Sequence, residues 1–366
     1  MSHESENPAI APVPVGDLWR FPPVIGYAVP RHRPIVGDGG TPVTIVAGID
    51  EAGFGPVLGP LVVSTAIFDI PHDRCDTSMW QLLAGSVCRS PSKRRGLIAF
   101  GDSKKLYGGL RGGRGLENLE RGVLAMLACA GNKPTTLSEL LAAVAPSVSE
   151  HAQDYPWYEG LQLTLPHAME ATSLMLDANS LRAKVASAGL RVLGLRSEPV
   201  LEGEYNRLID LTDNKSVMLF DVACRLFMHI WNLIPPGETA KVFVDHQGGR
   251  VRYMEGLQRV FDGCRFKVHD ESETMSSYSF TDGQRTMEIA FIVEAEDRHM
   301  PVALASMLSK YVRELFMTLF NRFWERHQPG LAPTAGYYSD GTRFYNEILP
   351  HVQRLGIQPS RIYRSR

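Results

Sequence analysis

The sequence predicts an α/β domain, a mixed sheet flanked by helices, carrying a mainly helical insertion and an extended N-terminal arm. Three observations predict it. Short β-branched apolar runs read as buried strands, long amphipathic stretches alternate with them, and residues 1–42 are rich in proline and glycine without any periodicity.

The segment 1–42 reads as an arm that either packs on the domain or stays mobile, and 43–366 as the domain itself. Thr44-Ile45-Val46-Ala47-Gly48-Ile49 is a buried strand. Gly53, Gly55, Pro56, Gly59 and Pro60 punctuate the next stretch, and residues 61–68 form a second strand that pairs with the first as a hairpin. Residues 116–130 read as a helix. About 131–187 mix helical stretches with proline-containing loops and read as an insertion, followed by a strand at 190–195. Residues 214–233 form an amphipathic helix with Leu219, Val222, Ala223, Leu226, Phe227 and Ile230 on one face. A strand at 240–245 ends in Asp245, residues 285–294 alternate as a strand, and 301–327 form a long helix with Pro301 in its first turn.

The 366 residues suffice for a large core, and 44% hydrophobic with 21% charged residues is the balance of a folded globular chain. The net charge of -2 gives no global attraction to nucleic acid, but it does not govern what a local groove binds. Basic residues concentrate at Ser92-Lys93-Arg94-Arg95 and in the run 360–366, which read as solvated surface. Cys75, Cys88, Cys129, Cys224 and Cys264 are odd in number and lack CxxC spacing. That argues against a disulfide framework or thiolate zinc site and suits a reducing cytoplasm. Residues 1–14 contain no apolar core of a secretory leader, and no run of eighteen apolar residues suggests a membrane span.

Four acids stand out by position. Asp50 and Glu51 follow a buried strand, Asp245 ends another, and Glu314 lies in the long helix near Lys310 and Arg313. Strand ends are where open α/β sheets gather ligands. Taken singly, each acid also fits a solvated turn, a strand-end cap or a helix-surface ion pair. Together, convergent carboxylates are the ligand set that Mg²⁺ or Mn²⁺ prefers, and a pair of such ions supplies both a deprotonated water and a stabilised leaving alkoxide for phosphodiester hydrolysis.

The surrounding residues carry a resemblance. Gly48-Ile49-Asp50-Glu51-Ala52-Gly53-Phe54-Gly55-Pro56-Val57-Leu58-Gly59-Pro60-Leu61-Val62 resembles the first motif of the type 2 ribonucleases H, the ribonucleases HII and HIII. Asp102-Ser103-Lys104-Lys105-Leu106 is similar to their DSKKL loop, Val244-Asp245 to the strand-end VDG motif, and residues 305–314 to the ASIxAKxxRD helix. Gly336-Tyr337 and Ile362-Tyr363-Arg364-Ser365 resemble the family's C-terminal segments, and the motifs appear in the family's order.

The resemblance implies a ribonuclease H-like sheet with a tetrad of acids, Asp50, Glu51, Asp245 and Glu314, holding two Mg²⁺ or Mn²⁺ ions. It implies that the turn with Gly53, Phe54 and Gly55 lies against the ribose 2′-hydroxyl, that Ser103 and Lys104 touch phosphate, and that Tyr337 packs on the sugar. Lys310 tunes the acids, binds phosphate or pairs with Glu314. The implied activity is endonucleolytic cleavage of the RNA strand of RNA–DNA hybrids, or of ribonucleotides embedded in DNA, by a monomer.

Three departures bear on it: Phe54 stands where ribonuclease HII has arginine, His246 where the family has glycine, and Glu314 where ribonuclease HII has aspartate. His246 is a ligand, a proton shuttle or a hydrogen-bonded neighbour. Two other readings are a nucleic-acid-binding protein with lost or altered catalysis and a related metal nuclease with another substrate.

Overall fold

The structure, a computed structural model, describes residues 43–91, 96–108 and 115–365. The arm expected at 1–42 and the basic run at 92–95 lie outside the described residues.

Among the described residues, seven of nine strands form one sheet. They are β1 (Val43–Ala52), β2 (Leu61–Pro71), β5 (Arg191–Val200), β6 (Thr239–Asp245), β7 (Arg265–Glu271), β8 (Met275–Thr281) and β9 (Thr286–Ile292), while β3 (Val87–Cys88) and β4 (Ile98–Ala99) pair separately. The order is β5-β2-β1-β6-β9-β8-β7. β1 is antiparallel to β2 and parallel to β6, and β6 is parallel to β9, so the sheet is mixed as expected.

β1 is apolar on both faces because the sheet is covered on both. Val46 belongs to the core on one side, Ile45, Ala47 and Ile49 to the core on the other, in keeping with the two-residue period of a strand. The first core packs under the long helix Met300–His327 and the helix Gly115–Cys129. It also takes in Leu137, Leu140 and Leu141 of the segment read as an insertion, and an aromatic group of Trp157, Tyr158, Phe320 and Trp324. The second packs under Lys215–Leu233, whose N-terminus is capped by the Asn214 side chain accepting from the Ser216 and Val217 N–H groups. This helix is long and apolar enough to cross a bilayer, yet its apolar face, including Leu219, Val222 and Phe227, lies inside the core. The five cysteines are unpaired.

Gly48 sets the spacing between β1 and the long helix. A Cβ there would lie 2.1 Å from the Val302 nitrogen and 2.2 Å from the Pro301 carbonyl carbon, so only glycine lets the helix start directly on the strand. The helix then runs 28 residues, about 42 Å at 1.5 Å per residue, past the end of β1.

Several elements were not expected from the sequence, β7, β8 and the helix Tyr338–Arg354 among them. β8 alternates, burying Ser276, Tyr278 and Phe280, and was legible by its period. β7 is an exposed edge strand, Arg-Phe-Lys-Val-His-Asp-Glu, whose charges hide its state while protecting the edge. Tyr338–Arg354 is a helix despite Pro350 within it.

Candidate active site

The chain reverses between β1 and β2 through Gly53–Pro60, and the acids lie where it leaves the sheet. Asp50 pairs across β1–β2 with Ser64, and β6 runs parallel to β1, so Asp245 ends its strand beside the Asp50–Glu51 step. Asp50 is 7% exposed, and its Oδ1 accepts from the Glu51 N–H at 2.6 Å. Ser309 of the long helix donates to the Asp50 carbonyl at 3.0 Å, and Ser306 hydrogen-bonds the Asp50 carboxylate. Asp245 Oδ1 accepts from the Ala295 N–H at 3.1 Å.

These carboxylates are desolvated and repel one another. Burial, then Glu51 and Asp245, push the Asp50 carboxyl well above the usual range. Burial, then Asp245, push Glu51 up to about 7. Burial also raises Asp245 against hydrogen bonds from the Ala295 N–H and Glu296.

Glu296 is an acid of the site that the sequence did not single out. It lies in the short helix Ala295–Arg298 directly after β9, hydrogen-bonds Asp245, and is pushed up to about 7 by burial and then by Asp245. Its Oε2 is buried without a partner among the described residues. The available signal was its place after a strand parallel to β6, the same rule that singled out Asp245.

Glu314 is held by two other side chains. Lys310 Nζ donates to its Oε1 at 2.6 Å and the Tyr107 hydroxyl to its Oε2 at 2.7 Å, so both oxygens are engaged. Lys310 also lies 4.5 Å from the centre of the Tyr107 ring. The structure thus brings together Asp50, Glu51, Asp245 and Glu296, and places Glu314 in a buried pair with Lys310.

The short helix Ser103–Tyr107 joins these groups. Asp102 caps it, accepting from the Lys104 N–H at 2.8 Å, and the Ser103 and Ser306 hydroxyls are hydrogen-bonded at 2.9 Å, so Ser103 is buried in a helix contact. Lys104 is exposed, and its charge acts on both Glu51 and Asp245. Lys105 bridges Asp102 and Asp297.

The glycine-bearing turn follows the Asp50–Glu51 pair in the chain. Gly53 has φ +89°, and a Cβ there would lie 2.5 Å from the Pro60 carbonyl oxygen, whereas Gly55 faces open space. Phe54 packs partly against the second core. Tyr337 is 50% exposed. His246 donates its backbone N–H to the Ile292 carbonyl at 3.0 Å, and its Nε2 is buried without a partner.

The basic C-terminal run read as surface is corrected at Arg364, which is 1% exposed. Its guanidinium stacks 3.7 Å from the Tyr205 ring centre and donates to carbonyls of the turn, which offset the loss of water.

The donors are oxygen ligands of the kind a hard divalent cation takes. Four carboxylates from three chain segments, one with a buried orphan oxygen, raise one another's affinity for positive charge. Among the described residues no three such groups converge on a single point as they stand.

No family model matches the sequence, and no curated protein matches it. Among solved structures the chain is similar to the ribonuclease HII of Archaeoglobus fulgidus, solved in complex with PCNA, at 15% identity and TM-score 0.37 over 88% of this chain and 94% of that one. It is similar to ribonuclease H2 from Pyrococcus horikoshii OT3 at 14% identity and TM-score 0.36, over 87% of this chain and 92% of that one. It is also similar to Bst-RNase HIII, solved with Mn²⁺, at 13% identity and TM-score 0.36, over 83% of this chain and 62% of that one.

Proposed function

We propose that this chain is a divalent-metal-dependent endonuclease of the ribonuclease H type, which hydrolyses the RNA strand of an RNA–DNA hybrid or a ribonucleotide embedded in DNA. The observation that carries the reading is the set of four mutually repelling, desolvated carboxylates, Asp50, Glu51, Asp245 and Glu296, at the ends of adjacent strands beside a glycine-bearing turn.

These four would hold Mg²⁺ or Mn²⁺, which when bound lowers the pKa of water and stabilises the leaving alkoxide. Lys104 is exposed next to them and offers a point charge to a phosphate. Tyr337 offers an open ring face to a sugar. Lys310 neutralises Glu314 and so keeps that charge from adding to the cluster.

The test is cleavage of a labelled hybrid duplex by the purified chain in Mg²⁺ and in Mn²⁺. Asp50→Asn and Glu296→Gln are expected to lower kcat by about two orders of magnitude or more, and Glu314→Gln by much less. No cleavage by the native chain in either metal sinks the reading. A binding protein with altered catalysis is the second reading, favoured by the lack of a common focus for three ligands among the described residues. Tight binding of the hybrid without turnover would support it instead.

A further inference from the structure

The turn between β1 and β2 is held from behind by two buried arginines. Arg364 Nη1 donates to the Gly53 carbonyl at 2.6 Å and the Gly59 carbonyl at 3.2 Å, and its Nη2 donates to the Phe54 carbonyl at 3.2 Å. Arg313 Nη2 donates to the Leu58 carbonyl at 3.1 Å and to the Ala335 carbonyl at 2.9 Å. The Arg364 N–H itself donates to the Val57 carbonyl at 2.8 Å.

Arg364 is in turn fixed by its neighbours. Ser365 donates its N–H and its hydroxyl to Asn206 Oδ1 at 2.6 and 2.9 Å, and Asn206 Nδ2 donates to the Ser360 and Tyr363 carbonyls at 2.8 and 2.9 Å.

The peptide bonds of the turn are trans, so each carbonyl points opposite to the N–H of the next residue. With the Gly53 and Phe54 carbonyls drawn inward to Arg364, the Phe54 and Gly55 N–H groups face outward. Among the described residues neither N–H has a partner. Gly55 is exposed, with nothing within 4 Å of the place a Cβ would take. Two adjacent donors thus stand open, a few residues from Asp50 and Glu51.

We infer that Arg364 is a positioning residue for substrate: it fixes the Phe54 and Gly55 N–H groups as a rigid donor pair for the 2′-hydroxyl of the strand to be cut. The inference rests on the ribonuclease reading above, since that hydroxyl is the group by which a protein tells RNA from DNA. Lysine at 364 would place one ammonium where a planar fork now spans three carbonyls, and so would not hold the turn.

The test compares binding of an RNA–DNA hybrid and of the same-sequence DNA duplex by fluorescence anisotropy in EDTA, using the full chain. The native chain is expected to prefer the hybrid. Arg364→Lys is expected to lose that preference by about tenfold or more, with its DNA affinity nearly unchanged, and to melt lower than the native chain while staying folded, since buried carbonyls of the turn lose a donor. Millimolar guanidinium is expected to restore the preference to Arg364→Ala.

A folded Arg364→Lys that keeps the native preference overturns the inference. So does an equal fall for hybrid and DNA, which would mark a loosened fold. If the native chain has no preference, the ribonuclease reading fails and takes this inference with it. Should Arg364→Lys not fold, Asn206→Ala, which releases the segment carrying Arg364, is judged by the same two ratios.

Discussion

Replacing Glu202 by glutamine should shift stability in favour of the variant as the pH rises. Glu202 is fully buried behind the glycine-bearing turn. The Tyr158 hydroxyl donates to its Oε1 at 3.2 Å, and its Oε2 has no partner. Burial pushes its carboxyl from 4.5 up to about 7, even though Tyr158, Arg364 and Arg313 pull it down. A raised folded-state pKa means that the folded chain holds the proton more tightly than the unfolded chain. The stability contributed by the neutral acid is complete below pH 4.5, is lost as the pH rises to about 7, and stays lost above it.

A separation of about 2.5 units at 1.36 kcal/mol per unit is about 3 kcal/mol, a large part of the total stability of a domain. Glutamine has the same shape and no charge to bury. The stability difference between Glu202→Gln and the native chain should therefore shift by about 3 kcal/mol in favour of glutamine between pH 4.5 and pH 8. Urea unfolding of both proteins at pH 4.5, 6 and 8 measures it. A difference that stays constant with pH would refute the reasoning, because it would mean that Glu202 carries its charge in the folded state at no excess cost.

Mn²⁺ should stabilise the native chain by relieving repulsion among the acids, by about 2.7 kcal/mol at a hundredfold excess over its Kd, read as a rise in melting temperature; Asp50→Asn should show little of this rise while melting higher than the native chain in EDTA. Gly48→Ala should cost about 3 kcal/mol or more, because its Cβ would strike the Pro301–Val302 backbone, as read by urea midpoint. Tyr107→Phe removes a hydrogen bond to the Glu314 carboxylate and should cost about 1.5–3 kcal/mol, while leaving metal-dependent cleavage within a few fold of native.

Much of the fold was legible because the period of the apolar residues matches the element. β1 reads as a continuous apolar run because both faces are covered, and Lys215–Leu233 shows a single apolar face with an asparagine cap. β7 was not legible because an edge strand has little to bury.

At the site, Asp50, Glu51 and Asp245 were legible from their places at strand ends. Glu314 was legible from its motif, and its partner one helical turn away, Lys310, was legible from the same spacing. Glu296 was hidden among Glu294, Glu296 and Asp297, where only the end of β9 picks out one acid. The role of Arg364 was not legible at all, because its carbonyl partners lie some 305 to 311 positions earlier in the chain.

That separation also sets an order of events during synthesis. At about 5–20 residues per second, a ribosome needs on the order of 15–60 s to travel from Gly53 to Arg364. Over that interval the hairpin has its acids but not the guanidinium that braces the bend between its strands. A nascent chain therefore carries the ingredients of the site long before it carries the finished site, and ribosome-bound chains stalled before Arg364 are born without it.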